Sequence, residues 1–486
     1  MDSVSDMTVG YLAKNIRELP ILIENRIREN GKALPRREYF FRLKERLDEF
    51  LGSSSQQSTI VLLPGLRGTG KTTLLLQAAD HLLSVMGVRD VLYLTCDDLA
   101  LNRISLKDVL SIYEEKFLGE RFLDARKKTV LLIDEVHYDE KWSLTLKRLY
   151  DGSKNLFVIA TGSSSLAIQT TDLARRAVRD DILPLSFEEY LHLVFGRAPA
   201  PGLSEDIRCA LLQCSGPKDA LKKAEKVGIS LRREYFPGID ITMALESHLT
   251  VGGFPFCVKE QEEGRIFSKV LEVLTRIIKD DLPMIATISP QNLNLVMPIL
   301  STLAVSPSGR VSYDSLSQRF GVSKHAISNL MHGLEVCGVL IQLRPYGRIS
   351  KIGKGGYTYY FATSTLRAAI LWNYGSLKKT SEIYGQLLEN AVACMLYRQK
   401  TYTRDVLEIS FDPDGSGADL VATTPFGEVI VECGWHKRTS KQIARTSERL
   451  ARNGKKPTLG VIVTETLSER LEEDVLVVPA AMFLLG

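Results

Sequence analysis

Eight residues near the start of the chain have the makings of a grip for a polyphosphate. The stretch GLRGTGKT, Gly65–Thr72, fits the pattern G-x-x-x-x-G-K-[ST]. Gly65, Gly68 and Gly70 free the backbone to curl, so that successive N–H groups face one anion. Arg67, Thr69 and Thr73 complete the expected shell. Lys71 is expected on the β- and γ-phosphates, and the Thr72 hydroxyl on Mg2+. A second segment, VLLIDEVH (Val130–His137), delivers two acids. Asp134 is expected to bind Mg2+, directly or through water, and Glu135 to polarise an attacking water. A third segment, LFVIATGSSS (Leu156–Ser165), ends in small hydroxyl residues. Ser163 or Thr161 is the candidate to sense a γ-phosphate; the alternative is a plain helix cap. Further on, Arg175 and Arg176 stand where an arginine could reach a phosphate of the same subunit or a neighbouring one. The plainer alternative is a solvated basic face.

These groups must be carried by a particular kind of scaffold. The phosphate loop follows a short apolar run, Thr59–Leu63, and precedes a helical pattern, TLLLQAADHLL. Similar runs recur at Val91–Thr95, Val130–Ile133 and Leu156–Thr161, with helical patterns between them. Short buried runs alternating with helices predict an α/β fold with a parallel, doubly wound sheet. In such a sheet the ligand lies at the carboxyl ends of the strands, where all three segments end. If a helix starts at the loop, its N-terminus adds about half a positive charge.

Composition is that of an ordinary globular chain. Of 486 residues, 44% are apolar and 25% charged, which argues against global disorder. Sixty-two Lys and Arg against 58 Asp and Glu leave a net charge of +4, too small to name a partner. The seven cysteines are scattered without a C-x-x-C pair, which fits a reducing compartment better than a zinc site or disulfide framework. The N-terminus lacks a basic-then-apolar leader pattern. The apolar run Val475–Gly486 is too short to span a bilayer, which takes about 20 residues. A cytoplasmic protein without a membrane partner is expected.

GLRGTGKTTLL, LLIDEVH, ATGSSS, LPLSFEEYL and LTVGGFP together resemble the archaeal and bacterial AAA-type ATPases of the STAND-related group. The resemblance extends over most of the chain. It implies a P-loop ATPase core followed by a winged helix and a nuclease-like domain, with ATP and Mg2+ as cofactors. Members of the group usually have Gly-Arg where this chain has Arg175-Arg176. Arg176 matches the group's arginine, and its phosphate role is implied by that likeness alone.

Two later segments bear on nucleic acid. Ser312–Leu340 has helix-turn-helix grammar: Leu316 and Phe320 close a first helix, Gly-Val-Ser makes the turn, and Ser323 can cap a second. Ile327, Leu330 and Leu334 form its apolar face. The second helix carries little positive charge, but the wing expected after it holds Arg344, Arg348, Lys351 and Lys354. That is a pattern for phosphate-backbone contact, against the alternative of a packing module.

In the last segment Glu389, Asp419 and Glu432 follow the order of the PD-(D/E)XK restriction-endonuclease-like fold, which they resemble. That fold holds Mg2+ with such acids, which makes this trio a second candidate metal site, and it activates water with a lysine. Here the lysine position is Gly434, and Lys437 lies three residues on. Lys441, Arg445, Arg449 and Arg452 recur at helical spacing and predict one basic stripe. Backbone binding could outlast the loss of cleavage.

The expected organisation is therefore a helical segment over 1–50, a P-loop core over 51–183, and a helical lid with an insertion over 184–291. A winged helix over 292–375 and a restriction-endonuclease-like α/β domain over 376–486 follow. The expected activity is Mg2+-dependent ATP hydrolysis used as a switch, with Lys71, Glu135, Ser163 and Arg176 at its centre. DNA or another nucleic acid and a second copy of the chain are the expected partners. An ATP-gated nuclease and a protein-binding regulator with a degenerate nuclease domain are the alternatives.

Overall fold

The computed structural model describes residues 2–53, 58–163, 173, 175–198, 200–285, 288–307, 309–347, 356–435 and 440–486. The chain divides into two compact units, Met1–Ile182 and Leu183–Gly486.

The first unit is built on a five-stranded sheet. Its strands are β1 (Thr59–Pro64), β2 (Val91–Thr95), β3 (Thr129–Asp134), β4 (Leu156–Gly162) and β5 (Ala177–Arg179). All pairings are parallel, in the order β2-β3-β4-β1-β5. The four apolar runs fall where expected, because a parallel strand covered on both faces must be apolar throughout. Alternate residues of each run, Ile60 and Leu62, Leu92 and Leu94, Leu131 and Ile133, Val158 and Ala160, join one buried cluster. Tyr113 and Trp142 pack into the same cluster. Strand β5 is an addition: half-exposed AVR has no apolar run to betray it.

The first fifty residues belong to this unit. Helices α1 (Asp2–Ile27) and α2 (Glu38–Gly52) both pack against α3 (Lys71–Leu83). Helix α2 buries Tyr39, Phe40, Leu43, Leu47 and Phe50, spacings of three and four that place them on one face. The turn before it brings Arg37 to the phosphate loop.

The second unit begins with helices, as the sequence predicts: α4 (Phe187–Phe195), α5 (Leu203–Leu211), α6 (Pro217–Ser230), α7 (Ile241–Val251) and α8 (Glu263–Arg276). Ser186 and Glu189 close a reciprocal capping box on α4. After α9 (Val296–Val305) come α10 (Tyr313–Phe320) and α11 (Lys324–Val336). Ser312 caps α10, Gly321 turns the chain at φ 66°, and Ser323 caps α11. Ile327, Leu330 and Leu334 are buried on α11 as expected.

The strands of this unit form one nine-stranded sheet. They are β6 (Arg310–Val311), β7 (Leu340–Pro345), β8 (Tyr357–Phe361), β9 (Glu408–Phe411) and β10 (Leu420–Thr424). β11 (Gly427–Cys433), β12 (Pro457–Thr464), β13 (Arg470–Glu472) and β14 (Val475–Pro479) complete it. The order is β13-β14-β12-β11-β10-β9-β7-β8-β6. The hairpin β7–β8 is antiparallel, and β7 pairs in parallel with β9, Arg344 opposite Ser410. Helices α12 (Ser364–Asn373), α13 (Ser381–Tyr402) and α14 (Ser440–Arg452) lie in the same unit.

Strands from both sides of the expected 375/376 division join the one nine-stranded sheet. Buried Arg367 shows why these segments cohere. Its guanidinium donates to the carbonyls of Ala304 (3.0 Å), Gln386 (3.1 Å) and Ser306 (2.8 Å), tying α9, α12 and α13 together. Among the described residues no helix is long and apolar enough to cross a membrane. The apolar C-terminal run instead supplies β14, all five residues of it buried.

Candidate phosphate-binding site

The loop between β1 and α3 is curled by two left-handed glycines, Gly68 at φ 83° and Gly70 at φ 91°. Residues other than glycine pay for that conformation. Gly70 is the N-cap of α3, and no side chain caps the helix. The first N–H groups of this thirteen-residue helix, those of Lys71, Thr72 and Thr73, therefore have no intrahelical partner. Gly65 is required for a different reason. It bridges to Ile182, and a Cβ there would lie 2.5 Å from the Ile182 carbonyl oxygen.

Lys71 is buried, and its ammonium sits inside the curl, donating to the carbonyls of Gly65 (2.8 Å) and Leu66 (3.1 Å). Thr69 closes the loop with a hydroxyl bond to Leu66 O, 2.8 Å. Arg67 reaches across to the Tyr138 hydroxyl, 3.3 Å.

Strand β3 ends on the acids. Asp134 is buried; its carboxylate accepts from the Thr72 hydroxyl at 2.6 Å and from the Thr161 hydroxyl. The Tyr93 hydroxyl lies 3.4 Å from it. Burial pushes the Asp134 carboxyl above its ordinary range, and the charge of Glu135 adds to this, against the Thr161 and Thr72 hydrogen bonds and the Lys71 ammonium. Glu135 adopts a left-handed conformation, φ 50° and ψ 43°. For a residue with a Cβ this costs about 1 kcal/mol. Bonds from its N–H to Asp134 Oδ1 and Thr161 Oγ1, both 3.2 Å, hold it there. The result turns Glu135 out of the strand direction at the mouth of the site.

β4 lies between β3 and β1. Its end is therefore set between the acids and the phosphate loop. Thr161 is committed to Asp134, while Ser163 is buried and its N–H points to His137 Nδ1, 3.5 Å. The remaining residues of the GSSS stretch, Ser164 and Ser165, lie outside the described residues.

The donor set fits a divalent cation. Thr72 and Asp134 offer hard oxygens side by side, which suits Mg2+ completed by phosphate and water. A cation there would also relieve the repulsion between buried Asp134 and Glu135. One Glu135 oxygen, Oε2, is buried without a hydrogen-bond partner among the described residues.

Two residues of this site escaped the sequence reading. Arg37, nine-tenths buried, donates from Nη1 to the carbonyl of Thr69 at 2.6 Å. It belongs to a charged stretch with no motif around it. His137 closes the motif VLLIDEVH but has no spacing signal of its own.

The remaining candidates stand as follows. Arg176 pairs with Asp151, Nε to Oδ1 2.7 Å. Arg344 is exposed on β7; Arg348, Lys351 and Lys354 lie outside the described residues, as does Lys437. The residues of the basic stripe on α14 differ in their surroundings. Arg449 is not a solvated cation: it pairs with fully buried Asp412 and, at 3.0 Å, with Asp414. The Thr446 hydroxyl donates to the same Asp412 oxygen at 2.5 Å. Arg452 pairs with Glu448 at 3.3 Å, while Lys441 and Arg445 are exposed.

The carboxylates of the second metal set have the following partners. Among the described residues no group of three His, Cys, Asp or Glu side chains is arranged to hold a metal. Glu389 accepts from the Tyr360 hydroxyl at 2.6 Å, and Asp419 accepts from the Cys433 N–H at 2.9 Å. Glu432 accepts from the Asp419 N–H at 3.3 Å. Burial raises the carboxyls of both Glu389 and Asp419 above their ordinary range, and Asp419 raises Glu389 further.

Residues 57–191 match the family described as an AAA domain, in agreement with the parallel sheet and its loop. Most of that match, with its P-loop, falls in the first unit. Residues 242–374 match a domain of unknown function, DUF8612. The chain is 32% identical to the uncharacterized protein MJ1637 of Methanocaldococcus jannaschii over 481 residues, 98% of this chain and 93% of that one. It belongs to the family of that protein. An uncharacterized protein of Haemophilus influenzae is 30% identical over 138 residues, 27% of this chain and 33% of that one. Among solved structures, the ORC1 protein of Aeropyrum pernix in complex with DNA aligns over 70% of this chain and 94% of that one, at 14% identity and a TM-score of 0.30. The ORC2 protein of the same organism aligns over 72% and 96%, at 14% identity and 0.34. Likenesses this distant define neither a shared arrangement nor a shared function.

Proposed function

We propose that the protein is a Mg2+-dependent ATPase that uses its nucleotide cycle as a switch. The observation that carries this is the convergence of Lys71, Thr72, Asp134 and Glu135, drawn from two separate strands to one loop. The N–H groups of the loop and the α3 N-terminus bind the phosphates, with Gly65, Arg67, Gly68, Thr69, Gly70 and Thr73 shaping that cradle. A triphosphate competes with the Gly65 and Leu66 carbonyls for the Lys71 ammonium. Thr72 and Asp134 hold Mg2+, which supplies charge neutralisation at the β- and γ-phosphates. Glu135 orients the water, Ser163 reads the γ-phosphate, and Arg176 is released from Asp151 to reach a phosphate.

The second unit is proposed to read nucleic acid. The helix–turn–helix α10–α11 with its antiparallel hairpin supports a winged helix, and Arg344 lies on that hairpin. The order α13, β9, β10, β11, α14, β12 supports a restriction-endonuclease-like scaffold. Gly434 at the lysine position and the bond from Tyr360 to Glu389 favour binding over cutting. Exposed Lys441 and Arg445 remain for phosphate contact.

Calorimetry and phosphate release test the proposal. Lys71→Ala abolishes ATP binding; Glu135→Gln keeps binding and stops turnover. A wild-type protein that takes up no nucleoside triphosphate, or a Glu135→Gln variant that hydrolyses normally, refutes it. DNA affinity that ignores salt refutes the phosphate contacts of the second unit.

A further inference from the structure

His137 follows the acid pair on a single 3-10 turn, Val136–Tyr138, and is buried. Its Nδ1 stands between two groups that belong to different strands. On one side is Glu135 Oε2, 3.4 Å away. On the other is the N–H of Ser163, 3.5 Å away, just past the end of β4. The same turn touches the phosphate loop: the Tyr138 ring packs on His137 with centroids 4.7 Å apart, and Arg67 donates to the Tyr138 hydroxyl. One side chain thus touches the water-orienting acid and the strand end proposed to read the γ-phosphate.

We infer that His137 is a positioning residue that sets the orientation of Glu135 according to the state of the β4 end. The inference rests on the ATPase reading of this site. A ring nitrogen serves one partner at a time. Without a proton, Nδ1 accepts the Ser163 N–H; with one, it donates to Glu135. When a γ-phosphate draws Ser163 toward itself, the Ser163 N–H leaves Nδ1, which takes up a proton from solvent and donates it in a hydrogen bond to the Glu135 carboxylate. Glu135 Oε2, a buried carboxylate oxygen otherwise lacking a donor, is then held toward the water. After the γ-phosphate departs, the Nδ1 proton returns to solvent, Ser163 reclaims the nitrogen and Glu135 is released.

The test uses the full-length protein with Mg·ATP and compares wild type with Glu135→Gln, His137→Ala, His137→Asn and His137→Gln. Asparagine carries its polar atoms on Cγ, where Nδ1 is bonded; glutamine carries them one carbon further, near Nε2. His137→Ala is expected to lower kcat by about 100-fold with unchanged ATP affinity, the cost of a misplaced catalytic group. His137→Asn is expected to recover most of the loss and His137→Gln little of it. In the Glu135→Gln background, His137→Ala has no further effect. Should His137→Ala fail to fold, the Asn and Gln pair still decides: equal turnover in those two overturns the inference, because a space-filling role does not distinguish the polar positions. Wild-type turnover that is lost in Glu135→Gln but kept in His137→Ala overturns the inference alone. Absence of turnover in wild type overturns the ATPase reading and this inference with it.

Discussion

Replacing Arg37 with alanine tests whether the phosphate loop is held ready before a ligand arrives. Arg37 lies far from any recognised motif, yet its Nη1 bonds the Thr69 carbonyl at 2.6 Å in a nine-tenths-buried position. A hydrogen bond from a charged donor contributes about 1.5–3 kcal/mol. If that energy selects the curled loop, its loss lowers the population competent to bind, and apparent affinity falls by the same factor. At about 1.4 kcal/mol per tenfold, the ATP dissociation constant should rise roughly 10- to 150-fold. Calorimetric titration of Mg·ATP into wild type, Arg37→Ala and Arg37→Lys measures this, with thermal melting as the control for folding. Lysine keeps one donor and the charge, so it should recover part of the loss. An Arg37→Ala variant that melts normally and binds ATP as tightly as wild type would refute the reasoning, because the loop would then hold its shape without the bond.

Three further expectations follow from individual contacts. Gly65→Ala drives a Cβ to within 2.5 Å of the Ile182 carbonyl oxygen, a backbone atom that cannot swing away; a loss of about 1–3 kcal/mol is expected by denaturant unfolding, together with weakened ATP binding. Arg449→Ala leaves Asp412 buried without its cation, so a loss of about 3 kcal/mol is expected, at the lower end for a buried pair because Arg449 is a quarter exposed. Its DNA affinity should keep the wild-type salt slope, whereas Arg445→Ala should flatten that slope; a stable Arg449→Ala with a flattened slope reverses the assignment. Glu389 has its pKa raised by burial and by Asp419, so the unfolded chain gives up this proton at lower pH than the folded one. The stability this group contributes is full below its unfolded pKa and is lost as pH rises through the folded value. Glu389→Gln, which keeps an acceptor for Tyr360, should therefore raise the melting temperature above wild type at pH 9 and much less at pH 5. A constant difference across that range would count against the burial argument.

The grip itself was legible because its chemistry is local. Gly68 and Gly70 in left-handed turns, a lysine and a hydroxyl residue on the first turn of a helix, and a run of apolar residues leading into them are consecutive in the chain. Periodicity likewise exposed the parallel strands, since burial on both faces leaves continuous apolar runs. The helix–turn–helix was equally plain, because Ser312, Gly321 and Ser323 stop and start their helices through their own backbone and side-chain preferences.

Tertiary structure decided what lies next to what. Only the strand order, with β4 inserted between β1 and β3, brings Thr161 and Ser163 between the acids and the loop. Arg37, His137 and the pairing of Arg449 with Asp412 are contacts between residues whose separation along the chain follows no rule of spacing. For the same reason the basic stripe on α14 and the three carboxylates of the last segment read as sites in one dimension. In three dimensions Arg449 is paired with buried Asp412 and Glu389 accepts from buried Tyr360, while Lys441 and Arg445 stay exposed. A sequence records which groups are present and what the backbone does near them. Whether a charge is free for a ligand depends on which counter-charge folding places beside it, and that is settled by packing.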